Sequence, residues 1–204
     1  MTYLWINPVS ERMISENSLK TLLEAHKLVQ VRCCEDWVSI VRQKYAALMA
    51  YTAGTVADAR CPAAVDLVRE IEPQIQVADI EPILFHCARE ISSRLDLSDG
   101  SKIITTPCRI LAERGNELGL KDTRFVSWKD FLAELGEKLE PAPSASPIPP
   151  GFFAGLPFPV VSLSGQEEIA GYMRDHCGKE EQKLKRLMEL LYCSQGCHVG
   201  DGVR

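Results

Sequence analysis

The chain contains no basic run longer than "KLKR" at 183–186, and its formal net charge of −5 arises from interspersed charges. That removes the electrostatic footprint that nucleic-acid binding or an anionic membrane surface requires. No stretch approaches the ~20 consecutive apolar residues of a membrane span. The start "MTYLWINPVSERM" has no positively charged segment leading into a long apolar one, the pattern of a secretory leader. These absences predict a cytoplasmic protein with neither nucleic acid nor membrane as its partner. Cysteine, in contrast, is plentiful: there are eight in 204 residues. Structural disulfides rarely persist in a reducing compartment, so metal binding or redox chemistry becomes the favoured explanation. A hydrophobic content of 46% is enough to build one large domain or two small lobes.

Four times an apolar, β-branched run ends in cysteine and a helix-like stretch follows: "LVQVRCC" then "EDWVSIVRQKY", "TVADARC" then "PAAVDLVREI", "ILFHC" then "AREISSRL", and "KIITTPC" then "RILAERGNEL". In the first helical stretch Val38, Val41, Tyr45 and Leu48 recur at helical spacing, and Pro62 suits the first turn of the second. The alternation predicts an α/β fold of two small lobes, each a parallel sheet flanked by helices, with cysteines at the strand carboxyl ends in the crevice between lobes. Those ends are where such sheets take ligands, and the helix N-termini there carry partial positive charge. Cys34, Cys61, Cys87 and Cys108 therefore occupy positions that favour thiolates, the form that attacks and that binds metals. Simple burial of a small side chain is the alternative at each. Cys33 neighbours Cys34, and in a strand the two would face opposite ways.

"YLWIN", "TRFVS" and "FPVVSLSG" add strands. Ser127 with Asp130, and Ser164 with Glu167, are helix-start signals, the first leading a face of Trp128, Phe131, Leu132, Leu135 and Leu139. The proline content of residues 140–151 makes an extended connector. Residues 1–140 then form the cysteine-bearing βα portion, 141–151 the connector, and 152–204 a closing strand and helix. Leu184, Leu187, Met188 and Leu191 at helical spacing predict a last helix from about Lys179 to Tyr192. It would deliver Cys193 and Cys197, with Gly196, Gly200 and Gly202 letting the backbone approach a bulky group. Cys177 precedes it without an evident role.

Three segments, in order, resemble the cluster-binding signatures of the catalytic domain of iron-only hydrogenases: "ARCPAAVDLV", "TTPCRILAERG" and "CSQGCHVGDGV". The resemblance runs from about residue 55 onward, with shortened connections, and the first fifty residues have no counterpart in it. It implies that Cys61, Cys108, Cys193 and Cys197 hold a 4Fe-4S cubane, with Cys34 and Cys87 as alternative ligands from their placement alone. Gly196, Gly200, Gly202, Arg109 and His198 would then border the cluster, Arg109 balancing its charge and His198 donating to a sulfur or relaying protons.

The departures from the family pattern are as informative. Arg60 stands where the family has a proton-relaying cysteine, Leu111 where it has a lysine bonded to a cyanide of the two-iron unit, and Arg114 where it has a glutamate. Leu191 replaces a methionine, and Asp201 interrupts the glycine run. A leucine offers no charge-assisted bond to an anionic cofactor. The expectation is an iron-sulfur protein of hydrogenase-like ancestry, acting in electron transfer, redox sensing or cluster handling, without hydrogen chemistry. Without ferredoxin-like Cys-x-x-Cys-x-x-Cys runs, its electrons must come from an external redox partner. Two other classes fit the same residues: a four-cysteine zinc module serving as an interaction partner, and a small-molecule enzyme with a reactive thiol such as Cys61 or a cluster in the crevice.

Overall fold

The structure, a computed structural model, describes residues 1–140, 145–176 and 181–204. Its elements run β1 (Thr2–Trp5), α1 (Pro8–Glu11), α2 (Glu16–Ala25), β2 (Leu28–Gln30), α3 (Trp37–Tyr51), β3 (Thr55–Ala57), α4 (Pro62–Ile71), β4 (Gln76–Val77), α5 (Ile83–Ser93), β5 (Ser101–Thr106), α6 (Arg109–Glu117), β6 (Thr123–Ser127), α7 (Trp128–Leu135), β7 (Val160–Ser164), α8 (Gln166–His176) and β8 (Arg186–Leu191). All strand pairings are parallel, in two four-stranded sheets ordered β2-β1-β5-β6 and β4-β3-β8-β7. The fold is α/β, with two helix-flanked parallel sheets as the strand, cysteine and helix alternation predicts.

The chain divides into two compact units that interleave along the sequence. The first comprises Met1–Glu35, Leu84–Ile148 and Cys197–Arg204, and the second Asp36–Ile83 and Pro149–Gly196. Unit 1 packs Leu4, Ile103 and Val126 of its sheet, and Ile6 just beyond β1, with Trp128 and Phe131 of α7 and with Val203. Ser127 starts α7 as expected: its hydroxyl accepts the Asp130 N–H and donates to the Asp130 carboxylate. Unit 2 has two apolar clusters, one holding Ala57, Val68, Ile169 and Met188, the other Tyr45, Val56, Phe153 and Leu187.

Three local expectations change. "RLMELL" is strand β8, not the end of a helix. It lies between β3 and β7 with five successive residues buried, and a strand covered on both faces reads as a continuous apolar run that imitates a buried helix. Leu184, assigned to the helix stripe, is exposed. "ILFHC" forms the first turns of α5, so Cys87 lies inside a helix and not at a strand end. Cys33 and Cys34 follow β2 in an irregular segment that leads to Asp36, the cap of α3. In the second predicted capping pair, Ser164 donates its N–H to Glu168 and not to Glu167. Cys177, residues 141–144 of the connector and the predicted helix start at Lys179 lie outside the described residues.

Candidate functional site

In unit 2 the switch in strand order falls between β3 and β8, and Cys61 and Cys193 follow these two strands. Cys61 is the residue before α4, at the carboxyl end of β3, and its thiol makes no bond capping that helix. Its Sγ accepts the backbone N–H of Tyr192 at 3.5 Å. Tyr192 follows β8, the neighbour of β3, and Cys193 comes next. The turn beyond is pinned to the end of β7: Ser164 Oγ donates to the Cys193 carbonyl and accepts the Gln195 N–H. Gln195 and Gly196 both take positive φ, 64° and 120°, which a glycine adopts without strain. Burial pushes the Cys61 thiol up, and the Tyr192 N–H opposes that rise.

Arg60, beside Cys61, is fixed. Its Nε bonds both Asp58 oxygens, at 3.1 and 2.9 Å, and its Nη2 bonds Glu189 at 3.1 Å. The guanidinium lies 3.9 Å from the centre of the Phe152 ring and 4.4 Å from that of Phe153. Asp58 also accepts from the Tyr45 hydroxyl, and Glu189 accepts from Ser162 Oγ and from the N–H groups of Gly151 and Phe152. Both carboxylates are fully buried, and buried charges persist only when paired and hydrogen-bonded in this way. Burial opposes the charge on Arg60, but Asp58 and Glu189 outweigh it and hold the guanidinium protonated above its ordinary range. Such a group neither shuttles protons near neutrality nor swings toward a ligand.

No family model, curated protein or solved structure matches this chain.

In unit 1, Cys108 ends the segment after β5 and precedes α6, again without capping it. Residues 197–203 lie against this strand end. A Cβ at Gly202 would meet the Cys108 backbone and the Ser127 side chain at 2.8 Å, and one at Gly200 would collide with the Pro107 carbonyl. Glycine is required at both places for the backbone to come this close. Asp201 accepts the Arg109 N–H at 3.1 Å, and the Gly202 carbonyl accepts the Lys129 N–H. Arg109 is half-exposed and pairs with Asp130. Cys197 packs against the core of unit 1, and His198 is buried with its Nδ1 lacking a hydrogen-bond partner among the described residues.

The four cysteines named from sequence thus divide evenly: Cys61 and Cys193 in unit 2, Cys108 and Cys197 in unit 1. Among the described residues no group of three or more His, Cys, Asp or Glu side chains is placed to hold a metal ion. As a donor set the four suit a cubane in kind, being thiols set at helix starts and glycine turns with one sulfur already taking a backbone N–H. Cys34 is exposed, and its N–H donates to Glu90 of α5. Cys87 is buried inside α5.

Two groupings escape the sequence reading. The Asp58, Glu189 and Tyr45 shell of Arg60 left one clue, a glutamate inside the apolar run "LMELL", since an ionised residue in a fully buried strand demands a partner. The bonds from the Cys34 and Glu35 N–H groups to Glu90 left none, because they depend on how the segment after β2 meets α5.

Proposed function

We propose that this chain is an iron-sulfur protein of hydrogenase-like ancestry, acting in redox sensing, electron transfer or cluster handling in a reducing cytoplasm. The observation that carries the reading is the Cys61 and Cys193 arrangement: two cysteines of separate signatures end neighbouring strands, with the Tyr192 N–H on the Cys61 sulfur. No disulfide joins the seven cysteines among the described residues, as a reducing compartment favours. Cys61, Cys108, Cys193 and Cys197 would hold a 4Fe-4S cluster, which when bound supplies one-electron redox chemistry. Gly200 and Gly202 keep the backbone low beside Cys108, Arg109 adds an exposed positive charge next to it, and His198 has a ring nitrogen to offer.

Hydrogen turnover is not part of the proposal. Arg60, at the relay position, is committed to Asp58 and Glu189. Leu111, at the lysine position, is buried and has no polar atom to donate. Loss of a proton relay costs roughly two to four orders of magnitude, the usual contribution of general acid-base catalysis.

The test is anaerobic reconstitution of the full chain with ferrous iron and sulfide. A brown protein with about four iron atoms per chain, lost in Cys197→Ser and retained in Cys87→Ser, is the expected result. A colourless, well-folded protein that takes up zinc or no metal overturns the proposal. So does a cluster that survives in Cys197→Ser. With the cluster in place, hydrogen evolution should stay at background, and robust evolution would refute the assignment of Arg60 and Leu111.

A further inference from the structure

Residues 197–203 cross the carboxyl end of β5, with Gly200 against Pro107 and Gly202 against Cys108. The segment holds its own turns: the Gly200 N–H donates to the Cys197 carbonyl at 3.1 Å, and the Val203 N–H to the Gly200 carbonyl at 3.1 Å. Two further bonds tie it to the body of unit 1, each from the first turn of a helix. The Arg109 N–H of α6 donates to Asp201 at 3.1 Å, and the Lys129 N–H of α7 to the Gly202 carbonyl at 2.8 Å. The acceptors thus lie on the segment and the donors on helices of the body.

Keeping the segment closed carries a cost. His198 is 5% exposed, and its Nδ1 has no hydrogen-bond partner among the described residues. The turn Cys197–Val199 touches α1, and there Ser10, at 0% exposure, has a hydroxyl equally without a partner. The third such buried atom, Glu181 Oε2, has Arg186 at 3.7 Å, so the two uncompensated groups belong to one pair of touching elements. A buried donor or acceptor without a partner carries its whole desolvation cost, and contact with water removes that cost. The apolar gain on the other side of the balance is modest: Val203 is buried in the core, and Cys197 packs on it only in part.

We propose that residues 197–203 form a strap that opens by local unfolding while the body of unit 1 stays folded, biased toward opening by the unpaired Ser10 and His198 groups. Opening hydrates both groups and uncovers the start of α6 beside Cys108. Cys197 and His198 ride on the strap. On the cluster reading given above, its motion therefore gates their approach to iron, but the strap itself does not rest on that reading.

Amide hydrogen exchange of the full chain, without added metal, reads this motion residue by residue. Lys129 and Arg109 are the reporters. The reference is Phe125 of β6, whose N–H donates to Asn116 Oδ1 at 2.9 Å within the body. Lys129 and Arg109 should exchange together, at least about tenfold faster than Phe125 and with a weaker dependence on urea, because a local opening exposes little surface. Ser10→Ala and His198→Leu should each slow exchange at both reporters about tenfold, since each removes one uncompensated group from the closed state. Gly202→Ala should act in the opposite sense. Its Cβ would meet Cys108 and Ser127 at 2.8 Å, so protection should vanish at Lys129 and Arg109 and persist at Phe125. Three results would overturn the proposal: reporters that exchange only together with Phe125, exchange that neither Ser10→Ala nor His198→Leu slows, or a Gly202→Ala chain that loses protection throughout unit 1. Iron uptake is a separate measurement, so a colourless chain with a locally opening strap discards the cluster alone, and a brown chain without local opening discards the strap alone.

Discussion

Arg60 and Arg109 look alike in the sequence, each beside a cysteine that opens a helix after a strand, and they end in opposite conditions. The Arg60 side chain is 8% exposed and clamped between two buried carboxylates, while that of Arg109 is 54% exposed and meets one partly exposed Asp130. What separates them is the neighbouring strand. β8 carries Glu189 into the interior beside Arg60, and Asp58 precedes it on its own strand end, so the charge is matched from two sides. Arg109 faces the water-accessible start of α6. One arginine maintains the architecture of its unit; the other closes a pair at the surface.

The largest effect should follow from Arg60→Ala. Removing the cation strands Asp58 and Glu189 in the interior, a change that costs about 3–5 kcal/mol when one partner of a buried pair is lost. Urea unfolding should show the midpoint collapse, and an unchanged midpoint would mean that the network is not closed as described.

Alkaline pH probes the same region through Tyr45. Burial first, and then the Asp58 charge, raises its pKa above the ordinary 10.0. The unfolded chain therefore releases this proton first. The stability contributed by neutral Tyr45 is fully present below pH 10 and is lost as pH rises further, at about 1.4 kcal/mol per pH unit for one proton. Urea midpoints measured through that range should fall with this slope in the wild type. The slope should be shallower by one proton in Tyr45→Phe.

Arg109→Ala should have the smallest effect. An exposed pair contributes little and is screened by salt, so the urea midpoint should not move measurably. A large loss of stability would erase the contrast with Arg60.

Much of this was legible beforehand, for reasons that can be located. Cys61 and Cys108 precede α4 and α6 as their context predicted, because proline or a helix-favouring run fixes where each helix begins. Ser127 and Asp130 marked α7 through a local bond that needs no tertiary partner. β8 was misread because a strand buried on both faces loses its alternation, and that error also concealed Glu189 as the counter-charge to Arg60. Glu90 and Arg94 hold residues 32–35 from far along the chain, and no local pattern encodes that docking.

Val203, buried at 1% exposure in the core of unit 1, also bears on how this molecule is made. Unit 1 draws on three separated stretches, so during synthesis its interior stays incomplete until residues 197–204 leave the ribosome. Contacts between such distant stretches slow folding, because loops must close before any burial offsets their entropy. Until then the core of unit 1 lacks Val203, which makes that interval a period of exposure to aggregation and chaperones.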